Sequence, residues 1–197
     1  ENYFKENKIL VAGVDEVGRG ALAGPVIASA VIFPPNTKVE NLKDSKKLTD
    51  KNRRKLLDII KKKSIEYSIA SVSSLEIDKI NIHNASFLAM RKAINKLKIT
   101  PDYILIDGFY LHNLKIHNNG IIKGDNKFLA ISAASICAKV YRDDLMINLS
   151  KKYSDYFFEL NKGYGTKKHI EKLNSFKPCP IHRKTFLPVK NFFKHNR

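Results

Sequence analysis

The chain is 197 residues long and carries 36 Lys and Arg against 19 Asp and Glu, a formal charge of +17. Hydrophobic residues make up 43% and are spread along its length, which excludes global disorder and suits one compact domain. The excess of positive charge points first to polyanionic partners, nucleic acid above all, although a composition rich in Lys, Asn and Ile also makes chains basic for no functional reason.

Residues 8–14 and 25–33 are short apolar runs rich in β-branched side chains and bounded by Gly and Pro, so both are predicted strands. The connection over 15–24 is too short for a crossover helix, which makes the two strands antiparallel neighbours. Thr49 caps a predicted helix with Leu56, Leu57, Ile59 and Ile60 on one face and Arg53, Arg54, Lys55 and Lys61 to Lys63 on the other. A third strand follows over 65–72, then helical spacing over 75–80 and 82–97, closed by Pro101. The run Tyr103-Ile104-Leu105-Ile106 is a buried strand that delivers Asp107 at its end, and Ile121-Ile122 is a short strand leading to Asp125. Residues 129–149 form one long helix with a small-residue face at Ser132, Ala133, Ala134, Ser135 and Ala138. Residues 153–197 mix short helices with Pro-containing loops. The pattern predicts an α/β fold: a mixed five-stranded sheet flanked by helices over 1–150, with 151–197 as a small helical extension.

Two cysteines, Cys137 in an apolar run and Cys179 between prolines, exclude a disulfide framework and any paired-cysteine zinc or redox motif. No apolar run reaches the length of a membrane span, and no leader pattern is seen. A reducing cytoplasm is the expected compartment.

Asp15-Glu16, Asp107 and Asp125 each follow a run that reads as a strand. If the sheet gathers them, each like-charged pair at about 4 Å costs ~4 kcal/mol at an effective dielectric near 20, so a cation is needed. Carboxylates without His or Cys suit Mg²⁺ or Mn²⁺, and two such ions can activate water and offset the charge on a departing phosphodiester oxygen. Taken singly, each acid is better explained as an ordinary turn former. The spacing Gly18, Gly20, Gly24 loosely matches a dinucleotide fingerprint, but Pro25 and a second strand follow where a helix is required, and two acids precede it. Glycines flanking Arg19 instead allow backbone to approach a ligand closely.

These segments resemble the type 2 ribonuclease H family, specifically bacterial ribonuclease HII. The resemblance is carried by Gly13-Val14-Asp15-Glu16-Val17-Gly18-Arg19-Gly20, Leu22-Ala23-Gly24-Pro25-Val26, Asp44-Ser45-Lys46-Lys47-Leu48, Ile106-Asp107-Gly108 and Lys123-Gly124-Asp125. It continues through residues 133–143, Gly163-Tyr164-Gly165-Thr166 and His182-Arg183, in family order across nearly the whole chain. It implies a ribonuclease H-like fold, with Asp15, Glu16, Asp107 and Asp125 as catalytic metal ligands for Mg²⁺ or Mn²⁺. It also implies hydrolysis 5′ of ribonucleotides in RNA–DNA hybrids and at single ribonucleotides in duplex DNA, leaving 5′-phosphate and 3′-hydroxyl ends.

By the same resemblance Gly18, Arg19 and Gly20 sense the 2′-hydroxyl, the group that tells RNA from DNA, and Tyr164 stacks on the junction sugar. Ala21 stands where the family usually has Pro, and Cys137 where a larger aliphatic residue is common. Lys46, Lys47, Lys139 and Arg142 are candidate phosphate contacts, the last two three apart on one helix face, though each is also explained as a solvated basic residue. Asp143, beside Arg142, is expected to form a structural pair. No obligate protein partner is evident, and a monomer is expected. A catalytically silent hybrid-binding protein and a different metal-dependent nuclease of the same fold are the competing readings.

Overall fold

A computed structural model describes residues 9–40, 42 and 48–194. Its sheet has five strands: β1 (Val11–Val17), β2 (Val26–Ile32), β3 (Glu66–Val72), β4 (Tyr103–Asp107) and β5 (His117–Ile121). They lie in the order β3-β2-β1-β4-β5, with β1–β2 and β2–β3 antiparallel and β1–β4 and β4–β5 parallel. The short loop after β1 permits only an antiparallel return, and longer, helix-containing connections lead into β3 and β4.

Three longer helices flank the sheet: α1 (Asp50–Lys63), α2 (Ser74–Asn95) and α3 (Leu129–Ser150). Two shorter ones, α4 (Phe158–Asn161) and α5 (Lys167–Phe176), follow in the C-terminal part. Side chains of a strand alternate between faces. On one face Ala12, Val14, Ala28, Ala30 and Ile32 pack against Ile77, Ala85, Ala89 and Met90 of α2. On the other, Val31 and Phe33 meet Leu56 and Ile60 of α1 and Ala133, Ile136, Cys137 and Val140 of α3. Every residue of β2 is buried, as a strand covered on both faces requires. Gly13 lets α3 lie directly on β1, since a Cβ there would come within 2.1 Å of the Ala130 carbonyl carbon. Asp15, two residues on, therefore faces the same helix.

Two element bounds differ from the sequence expectation. Strand β1 continues through Asp15 and Glu16 to Val17, because β2 goes on pairing with it: Asp15 lies opposite Ser29 and Glu16 opposite Ala28. The last strand is the polar His117–Ile121 rather than 121–122. It is an edge strand, and Asn118 anchors it by exchanging hydrogen bonds of 2.9 and 3.0 Å with the Leu111 main chain. The two helices expected over 75–80 and 82–97 are both present within α2: Asn81, with φ 66° and ψ 166°, is not helical and separates them, and its Oδ1 accepts the Asn84 N–H at 3.0 Å to cap the second.

Candidate active site

β1 and β4 are parallel neighbours, so Asp15, Glu16 and Asp107 lie at the same end of the sheet. All three line one cavity of about 330 Å³, together with Val17, Arg53, Ser135, Ile136 and Lys139. Burial, then the neighbouring Glu16, then Asp107, push the Asp15 carboxyl well above the usual carboxylate range, against hydrogen bonds from Ser135 and the Glu16 N–H, the latter at 2.7 Å. Burial also raises Glu16, while Arg19, 3.2 Å away, holds it back.

Asp125 is buried in the 3₁₀ turn Gly124–Asn126 and does not line this cavity. Its turn is tied to the site: the Gly124 N–H donates to Asp107 Oδ1 at 2.7 Å, and Ser132 of α3 donates to the Asp125 carbonyl. The structure thus brings three of the four predicted acids onto one cavity wall and buries the fourth in the adjoining turn, which Gly124 ties to Asp107. Among the described residues, no group of three or more His, Cys, Asp or Glu forms a ready-made metal cage. The donor chemistry nonetheless fits a hard divalent cation: all carboxylate oxygen, and crowded enough for Asp15 to resist ionisation until positive charge is supplied.

Beside the acids lies the loop over residues 18–25, held on both flanks by the C-terminal part. Leu22 and Ala23 donate to the Gly163 carbonyl, Gly24 donates to that of Ile181, and Arg183 N donates to that of Leu22. Two fully buried arginines clasp the loop from beneath. Arg183 donates to the carbonyls of Gly18, Arg19 and Gly24 at 2.6, 2.8 and 3.0 Å. Arg142 donates to those of Ala23, Pro25 and Lys162 at 3.1, 3.0 and 2.8 Å. Burial lowers both guanidinium pKa values, Arg183 to about 9 with Arg142 as the second cause.

Arg19 points the other way, with its guanidinium on Glu16 and 4.7 Å from the centre of the Phe109 ring. The half-buried Tyr164 ring lies 5.2 Å from the Arg142 guanidinium and 5.9 Å from the Lys139 ammonium. Lys139 therefore stands between the acid cavity and Tyr164.

The Ribonuclease HII family model matches residues 12–189. The chain belongs to the ribonuclease HII family. It is 53% identical over 194 residues to ribonuclease HII of Caldicellulosiruptor bescii, covering 95% of this chain and 94% of that one. It is 50% identical to ribonuclease HII of Caldicellulosiruptor saccharolyticus, covering 95% and 91%. Among solved structures, the ribonuclease H2 from Pyrococcus horikoshii OT3 superposes with a TM-score of 0.79 at 27% identity, covering 93% of this chain and 96% of that one. The chain is accordingly a ribonuclease H, a hydrolase, on a ribonuclease H-like fold.

Within this ribonuclease HII the predicted substrate contacts divide. Arg142 cannot hold a nucleic-acid backbone as expected, because its side chain is fully buried and spent on three carbonyls. Asp143 pairs not with Arg142 but with Lys139, one helical turn earlier, at 2.8 Å. Gly18 has a packing reason of its own: its φ is +92° and Arg142 Nε occupies the space a Cβ would need. Gly20 is the open one, with nothing within 4 Å of a Cβ. Lys46 and Lys47 lie outside the described residues.

Sequence reasoning missed Arg53 and Ser135 on the cavity wall. Arg53 is expected on the solvent face of α1, yet it precedes Leu56, Leu57 and Ile60 by three, four and seven residues, which is the buried stripe. That spacing was the available signal.

Proposed function

We propose that this ribonuclease HII hydrolyses the phosphodiester 5′ of ribonucleotides, both in RNA–DNA hybrids and at single ribonucleotides embedded in duplex DNA, leaving 5′-phosphate and 3′-hydroxyl ends. The observation that carries this reading is the position of three convergent carboxylates beside the Arg19–Gly20 loop and Tyr164. Acid chemistry and sugar recognition then share one rim. Asp15, Glu16 and Asp107, with Asp125 behind them, would hold Mg²⁺ or Mn²⁺. Bound there, such ions, two in the full reading, supply an activated water and charge to offset the departing 3′-oxygen.

The chain's own groups do the rest. The exposed main chain at Gly20 and the Arg19 side chain meet the 2′-hydroxyl, Tyr164 stacks on the sugar, and Lys139 faces the phosphates from the cavity wall. Residues 1–150 act as the catalytic core and 151–197 as the scaffold that sets the recognition loop. The same reading has the protein working in the cytoplasm as a monomer, the +17 charge drawing it to duplexes.

Cleavage of three matched duplexes in Mg²⁺ or Mn²⁺ tests this: all DNA, DNA with one ribonucleotide, and an RNA–DNA hybrid. A site built to bind a hydroxyl rejects the analogue lacking it by about 10⁴-fold, so the ribonucleotide duplex should be cut 5′ of the ribonucleotide and the all-DNA duplex about 10⁴-fold more slowly. Equal cutting of both would show that the loop does not read the sugar.

A further inference from the structure

Beneath Tyr164 three polar groups from separate segments form a chain that the catalytic reading does not use. His169 of α5 and His182 of the loop after it are both buried, with Nε2 atoms 3.0 Å apart. His169 Nδ1 is 2.8 Å from the Tyr164 carbonyl, and His182 Nδ1 is 3.0 Å from the Cys179 main-chain nitrogen.

The ends fix where the protons are. A carbonyl can only accept, so His169 Nδ1 carries hydrogen; a main-chain N–H can only donate, so His182 Nδ1 is bare. With one hydrogen per neutral ring, His182 Nε2–H must donate to His169 Nε2. The proton order then runs one way, from Cys179 through His182 and His169 to the Tyr164 carbonyl. That carbonyl also accepts the Thr166 N–H at 2.8 Å, so both its lone pairs are used.

The groups facing the pair are the rings of Tyr156 and Phe158 and the Cys179 thiol, whose Sγ is 3.1 Å from His182 Nδ1. Burial lowers His169, and burial with His169 as neighbour takes His182 down to about 4, so both rings are neutral at neutral pH. The two ends of the chain sit on the two flanks of the recognition loop: Tyr164 bridges to Ala21, and His182 to Ala23.

We propose that His169 and His182 are positioning residues that hold Tyr164 in register with the Arg19–Gly20 loop, through a hydrogen-bond chain of fixed direction, and thereby set how tightly a ribonucleotide-containing duplex is held. The pair touches neither the acids nor the substrate. Its effect on substrate rests on the reading of Tyr164 as the sugar-stacking residue.

Two measurements separate the parts. Long-range ¹⁵N–¹H correlation spectra at neutral pH should show His169 in the Nδ1–H form and His182 in the Nε2–H form. Any other pair of tautomers overturns the proposal, and this readout needs no turnover. In steady-state cleavage of the single-ribonucleotide duplex, His169→Ala should raise KM about tenfold with kcat changed less than about threefold. His169→Asn, whose Nδ2 can stand near the imidazole Nδ1, should recover most of that loss. Equal kinetics for both variants and the parent would overturn the positioning role. Tyr164→Ala run in parallel isolates the underlying reading: if it alone leaves KM unchanged, Tyr164 does not stack, and the positioning role falls with it even where the tautomers stand.

Discussion

Asp15→Asn is expected to lower turnover about a thousandfold, about 4 kcal/mol of transition-state stabilisation, while making the metal-free protein more stable. Both effects have one cause. Asp15 sits buried beside Glu16 and Asp107, and its carboxyl is held well above the usual range first by burial and then by those two charges. In the unfolded chain it ionises near the ordinary carboxylate value; in the fold it resists. Between those two values the folded protein binds the extra proton, so stability falls as pH rises through the window and stays lower above it. Asn carries no charge to repel and keeps an oxygen for the Glu16 N–H. A gain of about 1–2 kcal/mol, or roughly 3–6 °C in Tm without divalent cation, should follow. Thermal unfolding in EDTA with matched cleavage assays checks both halves; a less stable variant would show that the acids are not in conflict.

Arg183→Met is expected to cost about 4 kcal/mol of stability and to loosen substrate discrimination. The side chain is fully buried, and it satisfies three carbonyls on the recognition loop, those of Gly18, Arg19 and Gly24. Each buried acceptor left without a donor costs about 1–3 kcal/mol, and the three are coupled, so their costs do not fully add. Met fills much of the volume but donates nothing. Urea unfolding measures the loss. Cleavage below the transition should show the preference for ribonucleotide over all-DNA duplex falling by at least about tenfold, because Arg19 and Gly20 no longer have a fixed main chain. An unchanged midpoint would mean that water replaces the guanidinium.

Much of this was legible in the sequence, and the exceptions have physical reasons. Alternation and β-branching exposed the buried strands, and the short 15–24 connection gave the antiparallel return. The edge strand His117–Ile121 was hidden because an edge needs no apolar run, only main-chain partners and an anchor such as Asn118. The acids at strand ends were visible as a pattern, but their convergence depends on β1 and β4 being parallel neighbours, a long-range fact no local window contains. Arg142 misled for the opposite reason. Helical spacing places it on a face with Lys139, yet whether a face meets solvent or a loop from 119 residues away is decided by tertiary packing. The histidine chain joins His182, which lies in a motif visible in the sequence, to His169, which does not; only the contact distance exposes the pair.

The central claim is that Asp15, Glu16 and Asp107 turn their shared cavity into a site for divalent metal. The most direct measurement is anomalous diffraction from crystals of the protein equilibrated with Mn²⁺. A manganese peak in that cavity, bonded to Asp15 and Asp107 and absent from Asp15→Asn crystals, is the expected result. A catalytically active protein whose manganese binds elsewhere, with the cavity carrying no peak, would contradict it.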